Sequence, residues 1–175
     1  MKKGFTLIEL VIVIGILAIL AAAVVLVLNP AQLLAQARDS QRISDLGSVK
    51  SAIALYLATA ASPAFVSAGP VFTSFSPAAC PFTTCAGATV TNSTVVTGAG
   101  WVKIDLTTTS GGSALGSLPM DPSNGTTYEY GYKGDISLLT FKLVGILEST
   151  KYAPLMSGDG GTSTAWYEIG TKLDL

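Results

Sequence analysis

The chain has 175 residues, 49% of them hydrophobic and only 12% charged, with a formal net charge of −1. It contains no histidine, which excludes Ser-His-Asp and Cys-His nucleophile systems and every histidine-based metal site. With 10 basic against 11 acidic residues, it has no basic patch of the kind a general nucleic-acid binder needs.

The first element is apolar. Met1-Lys2-Lys3-Gly4 leads into Phe5-Thr6-Leu7-Ile8-Glu9, and residues 10–28 carry no charge. That stretch approaches the roughly 20 residues an α-helix needs to cross a hydrocarbon core. Glu9 is a carboxylate near the start of a segment otherwise built to leave water, where a charge without a partner is costly. Thr6-Leu7-Ile8-Glu9 fits the S/T-x-x-E capping box, which gives Glu9 a purely local role. A secretory signal peptide is one reading, with Lys2 and Lys3 as its basic region and Ala21-Ala22-Ala23 as its cleavage site. Against it, Glu9 interrupts the apolar region early, and cleavage after Ala23 leaves residues 24–28 as an apolar stub. A plain membrane anchor is a second reading, with Lys2 and Lys3 inside and the rest outside. It gives Gly4 and Phe5 no role.

A third reading comes from resemblance. The stretch Lys2-Lys3-Gly4-Phe5-Thr6-Leu7-Ile8-Glu9-Leu10, followed at once by apolar residues, closely resembles the processing signature of type IV prepilins and type II secretion pseudopilins. The resemblance implies that a membrane prepilin peptidase cuts between Gly4 and Phe5. It implies N-methylation of the Phe5 amine and an assembly role for Glu9, paired with the Phe5 amine of a neighbouring subunit. The physics agrees, because a charge in apolar surroundings is tolerated only when paired. The implied architecture is the α+β pilin fold. A long N-terminal helix has a protruding hydrophobic half, and its second half packs on a small antiparallel β-sheet head. The expected divisions are a leader (1–4), a transmembrane or filament-core helix (5–29), an amphipathic helical half (30–61) and a β-rich head (62–175). Many pilins carry a helix-interrupting proline about a turn earlier than Pro30. Here, up to Pro30, Gly15 and Asn29-Pro30 are the only breakers.

The helix is predicted to continue to about Ala61, with Pro30 kinking it rather than ending it if Asn29 stays near-helical. Residues 31–61 are rich in strong helix formers. Leu46, Val49, Ile53, Tyr56 and Ala60 recur at spacings of three and four, widened by Ile43 and Leu57, and predict a stripe packed on a sheet. Arg38, Asp39, Gln41, Arg42, Asp45 and Lys50 hold the more polar positions, with Asp39 and Asp45 near the two arginines. Unbroken, residues 5–61 would extend on the order of 85 Å at 1.5 Å per residue. A single globule cannot bury such a rod, but a bundle of identical rods can.

Residues 62–77 shift to Ser, Ala, Pro, Gly and Phe and read as loop. Cys80 and Cys85 fall in the part expected to face outward, so a disulfide is expected in an oxidising compartment. The other reading is two reduced, partly buried thiols. Without histidine the pair makes a poor zinc site, and CxxxxC is not a redox CxxC. Strands are predicted around 89–96, over 101–106 with Val102, Ile104 and Leu106 on one face, and around Tyr128, Tyr130 and Tyr132. Gly134-Asp135 reads as a tight hairpin turn into 136–147. That run, with Leu139, Phe141, Leu143 and Leu147 on one face, reads as a central strand under the helix. Residues 165–169 add a last strand.

Leu118-Pro119-Met120-Asp121-Pro122 resembles the Leu-Pro-x-Asp-Pro stretch that precedes the sheet in major pseudopilins and related pilins. Ser157-Gly158-Asp159-Gly160-Gly161 lies where those pseudopilins bind calcium, so Asp159 is the one candidate metal ligand. A single carboxylate is thin for a cation that takes six to eight oxygens, and a Gly-rich loop is the other reading. Asp105, Asp121 and Glu129 read as solvated or turn-forming. Tyr128, Tyr130, Tyr132, Trp166 and Tyr167 read as a sheet face or, less simply, a ligand platform. No catalytic constellation or nucleotide-binding loop stands out. The resemblance implies not an enzyme but a filament subunit, a homo-oligomer with no cofactor beyond that calcium. It would be anchored in the cytoplasmic membrane by a single pass with its head outside, then built into a filament on the cell surface or the periplasmic side. The implied partners are the prepilin peptidase, a platform membrane protein, an assembly ATPase and other pilins. A secretion pseudopilin and a solitary membrane-anchored binding protein are the alternatives.

Overall fold

A computed structural model describes residues 4–67, 69–73 and 80–175, and Leu26 by its backbone alone. Lys2 and Lys3 lie outside the described residues. The chain forms two compact units, Met1–Ala35 and Gln36–Leu175.

In the first unit, helix α1 spans Leu7–Leu28. It starts where Thr6 turns extended (φ −79°, ψ 151°) and its hydroxyl accepts the Glu9 N–H. The window Leu7–Val25 is long and apolar enough to cross a membrane, and none of it is buried. Helix α1 ends at Asn29, which is left-handed (φ 41°, ψ 75°), and α2 begins directly at Pro30 and runs to Thr59. The conditional continuation past Pro30 is therefore corrected to a break between two helices. The pyrrolidine ring pushes the residue before it out of the α region. Asparagine is one of the few residues that enter the left-handed region readily. Asn29 then caps the next helix, its carbonyl accepting the Gln32 N–H at 2.9 Å, and Pro30 fills the first helical position, where no N–H is missed.

In the second unit, α2 presents the predicted stripe. Leu46, Val49, Ile53 and Tyr56 are all buried, with Ile43 and Leu57 half-buried at its margins. They pack on Tyr130, Tyr132, Phe141 and Leu143 of a five-stranded sheet of order β2-β1-β3-β4-β5. Its strands are β1 (Val71–Phe72), β2 (Thr89–Val90), β3 (Tyr130–Asp135), β4 (Thr140–Gly145) and β5 (Tyr167–Gly170). The α+β architecture is present and consistent with a pilin fold. The sheet is mixed rather than antiparallel, because β2 runs parallel to β1. A parallel return needs a crossover of about a dozen residues or more, and residues 73–88 supply that length. Neither β1 nor the short helix α3 (Leu155–Gly158) was legible in the sequence pattern.

Two further expectations are corrected. Residues 101–106 form no strand, although Trp101, Val102, Ile104 and Leu106 are all buried. They make only isolated bridges, Ile104 opposite Phe65 and Asp105 opposite Thr97, with Val66 N bonded to Lys103 O at 2.8 Å, Leu106 N to Val96 O at 2.9 Å and Trp101 N to Ser93 O at 3.2 Å. Gly134 and Asp135 are ladder residues opposite Phe141 and Thr140, so the turn is 136–139. Gly134 is a packing glycine, since a Cβ there would meet the Tyr132 hydroxyl and lie 2.9 Å from Phe65. Asp135 Oδ1 shapes the turn by accepting from the Ser137 and Leu138 amides. On the sheet face away from α2, Phe72, Phe82, Val144 and Trp166 make a second core.

Candidate functional site

The N-terminal site is built by a helix start. Residues 4–6 precede α1 and are not helical, and Phe5 is 87% exposed. The Gly4–Phe5 bond therefore lies in accessible, irregular backbone, the form a peptidase must bind. One helical turn on, Glu9 folds back on Thr6. Its Oε2 accepts the Thr6 N–H at 2.9 Å and the Thr6 hydroxyl at 2.8 Å, while the Glu9 N–H reaches the Thr6 hydroxyl at 3.3 Å. The capping box is thus formed within one chain. It ties Glu9 to the helix end next to Phe5 and leaves the carboxylate exposed.

Cys80 and Cys85 form a disulfide, and that loop packs inward. Phe82 enters the second core, 5.6 Å from Phe72 between ring centroids. Thr83 donates its N–H to the Leu175 carbonyl at 2.9 Å, and its hydroxyl accepts from Lys133 at 3.0 Å. Burial, with Lys142 nearby, holds the Lys133 ammonium below the usual lysine range.

Asp159 is held by two backbone amides. Its Oδ1 accepts the Gly161 N–H at 2.8 Å, and its Oδ2 accepts the Glu168 N–H at 2.7 Å. Among the described residues no three His, Cys, Asp or Glu side chains stand together as a metal site. Glu168 is ion-paired with Lys142, and Glu148 is held by two arginines.

Two charged clusters were not read from the sequence as sites. The first surrounds Arg42, which is fully buried. It forms a two-pronged pair with Asp121 (2.6 and 3.1 Å), reaches Asp39 at 2.8 Å and Glu148 at 2.7 Å, and lies 4.6 Å over the Tyr128 ring. Arg38 closes the cluster with two bonds to Glu148 at 2.6 and 2.8 Å. Asp39 also accepts the amides of Glu148 and Ser149. Asp121 is buried, yet turn-forming as expected, accepting the Ser123 and Asn124 amides at 2.8 and 3.1 Å. Glu129 is buried rather than solvated, and Asp105 is turn-forming as expected. The Arg38 hydrogen bonds, more than the opposing burial, pull the Glu148 carboxyl down to about 2, with Arg42 adding to them. Burial opposes the charge on Arg42, yet its bonds to Asp121 and Glu148 outweigh that and strengthen its proton affinity. Asp45 is pushed up by burial and accepts the Tyr130 hydroxyl at 2.9 Å. The second cluster surrounds Lys142, and its one sequence signal is a lysine inside an apolar strand run.

The five aromatics do not make one platform. Tyr130 and Tyr132 lie under α2, Trp166 lies in the opposite core, and Tyr128 stacks on Arg42.

Comparison with known families adds one finding. Residues 1–25 match the prokaryotic N-terminal methylation motif, a type IV pilin-like prepilin signature. No curated protein and no solved structure matches the chain. The motif belongs to structural precursors processed by a prepilin peptidase, and with the apolar helix α1 it points to membrane anchoring.

Proposed function

We propose that the chain is the precursor of a type IV pilus-like filament subunit. The supporting observation is the methylation motif at residues 1–25, set on an exposed, non-helical Gly4–Phe5 step and followed by a helix with no residue buried in the window Leu7–Val25. The precursor sits in the cytoplasmic membrane through residues 5–29, with residues 30–61 and the head, 62–175, outside. Hydrolysis of the Gly4–Phe5 amide removes the leader, 1–4, and leaves a positive amine on Phe5, which is then methylated and keeps its charge. In the filament, Glu9 leaves its local partner Thr6 for the Phe5 amine of a neighbouring subunit. That pairing fixes the register of one helix against the next. Leaving lipid is close to an even exchange, because a core of identical helices is as apolar as the tails it replaces. The platform protein, the assembly ATPase and other pilins are the partners this reading requires.

Mass spectrometry of the native protein tests the processing. A mature terminus at N-methylated Phe5 supports the subunit, and an intact Met1 refutes it in favour of a solitary anchored protein. Glu9→Ala should be processed and inserted yet build no fibres. Normal fibres from that variant refute the docking role.

A second reading, the pseudopilin of a type II secretion system, is favoured by the Leu-Pro-x-Asp-Pro stretch at 118–122, whose Asp121 Arg42 holds in place. Cells lacking the chain distinguish the two. Loss of surface fibres marks a pilus, and periplasmic retention of exported proteins marks a pseudopilus.

A further inference from the structure

The side chain of Lys142 is fully buried on β4, and its ammonium meets oxygens of three kinds from three places. These are the Pro81 carbonyl at 2.6 Å, the Thr162 hydroxyl at 3.2 Å and the Glu168 carboxylate of β5. The first two are hydrogen bonds and the third is an ion pair. Carbonyl, hydroxyl and carboxylate converging from separate segments are the donors a hard metal cation collects. Here the positive charge is tethered covalently to the sheet instead.

We propose that Lys142 is a resident cation that fastens the disulfide loop and the C-terminal segment to the sheet, and that it makes this unit independent of calcium. The neighbouring bonds converge on the same arrangement. Glu168 Oε2 accepts the Ser163 N–H at 3.1 Å, so the acid that neutralises Lys142 also holds the loop 159–163. Asp159 accepts the Gly161 and Glu168 amides and closes that loop from its other end. A Cβ at Gly161 would collide with the Glu168 carboxylate, so the backbone lies directly against the acid. Removing the ammonium leaves Glu168, 1% exposed, as an uncompensated buried charge, whereas removing both charges together does not. Asp159, the residue that fold resemblance nominates for calcium, is then a backbone acceptor at the sheet edge.

The test is hydrogen exchange and thermal unfolding of the full chain in detergent micelles, in EDTA and in calcium. The wild-type protein should melt at one temperature in both and exchange identically over 80–88 and 159–170. Lys142→Met should speed exchange in those two segments by roughly tenfold or more while the 46–56 face of α2 keeps its protection. The double variant Lys142→Met with Glu168→Gln should recover part of the loss. A calcium-dependent rise in the wild-type melting temperature overturns the proposal. So does unchanged exchange over 80–88 and 159–170 in Lys142→Met. Should that variant not fold, the wild-type comparison in EDTA and calcium still decides.

Discussion

Arg42 shows what a buried charge requires. Its guanidinium meets three carboxylates, and Asp39 and Asp121 have side chains as inaccessible as its own. Arg42→Met removes the cation and keeps the acids, so denaturant unfolding should show a loss of about 3–5 kcal/mol. Arg42→Lys should restore little, because one ammonium cannot reproduce the two-pronged bond to Asp121. The acid limb of a pH titration reports Glu148. Its folded pKa is about 2, below the ordinary 4.5, so its stabilisation is present above about 4.5 and disappears as pH falls through about 2. Asp45, held above its ordinary value by burial, works in the opposite direction. Glu148→Gln should flatten the acid limb of the stability curve in that window, measured by unfolding between pH 5 and pH 2. Asp39 could be read beside Arg42, since three residues on a helix are neighbours. Asp121 and Glu148 could not, lying 79 and 106 residues away along the chain. Nothing short of the folded turn brings them in.

The helical stripe of α2 was legible because its period is fixed by geometry, whatever packs against it. Ile53 is completely buried on it, and Ile53→Ala should cost about 2–5 kcal/mol by denaturant melt. The sheet was less legible, because strand identity depends on a partner. Residues 101–106 have strand chemistry, but among the described residues they find only isolated bridges, to Phe65 and Thr97, so they became a buried loop. Gly134-Asp135 has turn chemistry, yet the constraint on Gly134 is space. Gly134→Ala separates the two accounts. A Cβ crowded by Tyr132 and Phe65 should destabilise by about 1–3 kcal/mol and leave the turn at 136–139 intact. A variant as stable as the parent would return Gly134 to the ordinary run of strand residues. The break at Asn29 was half legible. Pro30 marked the place, but only the left-handed Asn29 decides that the helix stops and restarts.

The two units need different surroundings. The unit Gln36–Leu175 buries its own core, whereas α1 buries none of its window Leu7–Val25 in a single chain. Under the proposed function, lipid before assembly and other copies after it are the two media that cover such a helix. In the proposed topology Lys2 and Lys3 set its direction, because positive flanks stay on the cytoplasmic side. That proposed orientation would put Cys80 and Cys85 beyond the reducing cytosol, where a disulfide forms and persists. The redox state of this one pair therefore reports topology without any added tag. Intact cells treated with a membrane-permeant alkylating reagent before lysis should yield a head with both cysteines unlabelled, and prior reduction should make both reactive. Lys2→Glu with Lys3→Glu weakens the orientation signal, so a share of the chains should now be labelled without reduction. Full labelling of the unaltered chain in intact cells would mean that the head stays in the cytosol. No route to an external filament survives that result.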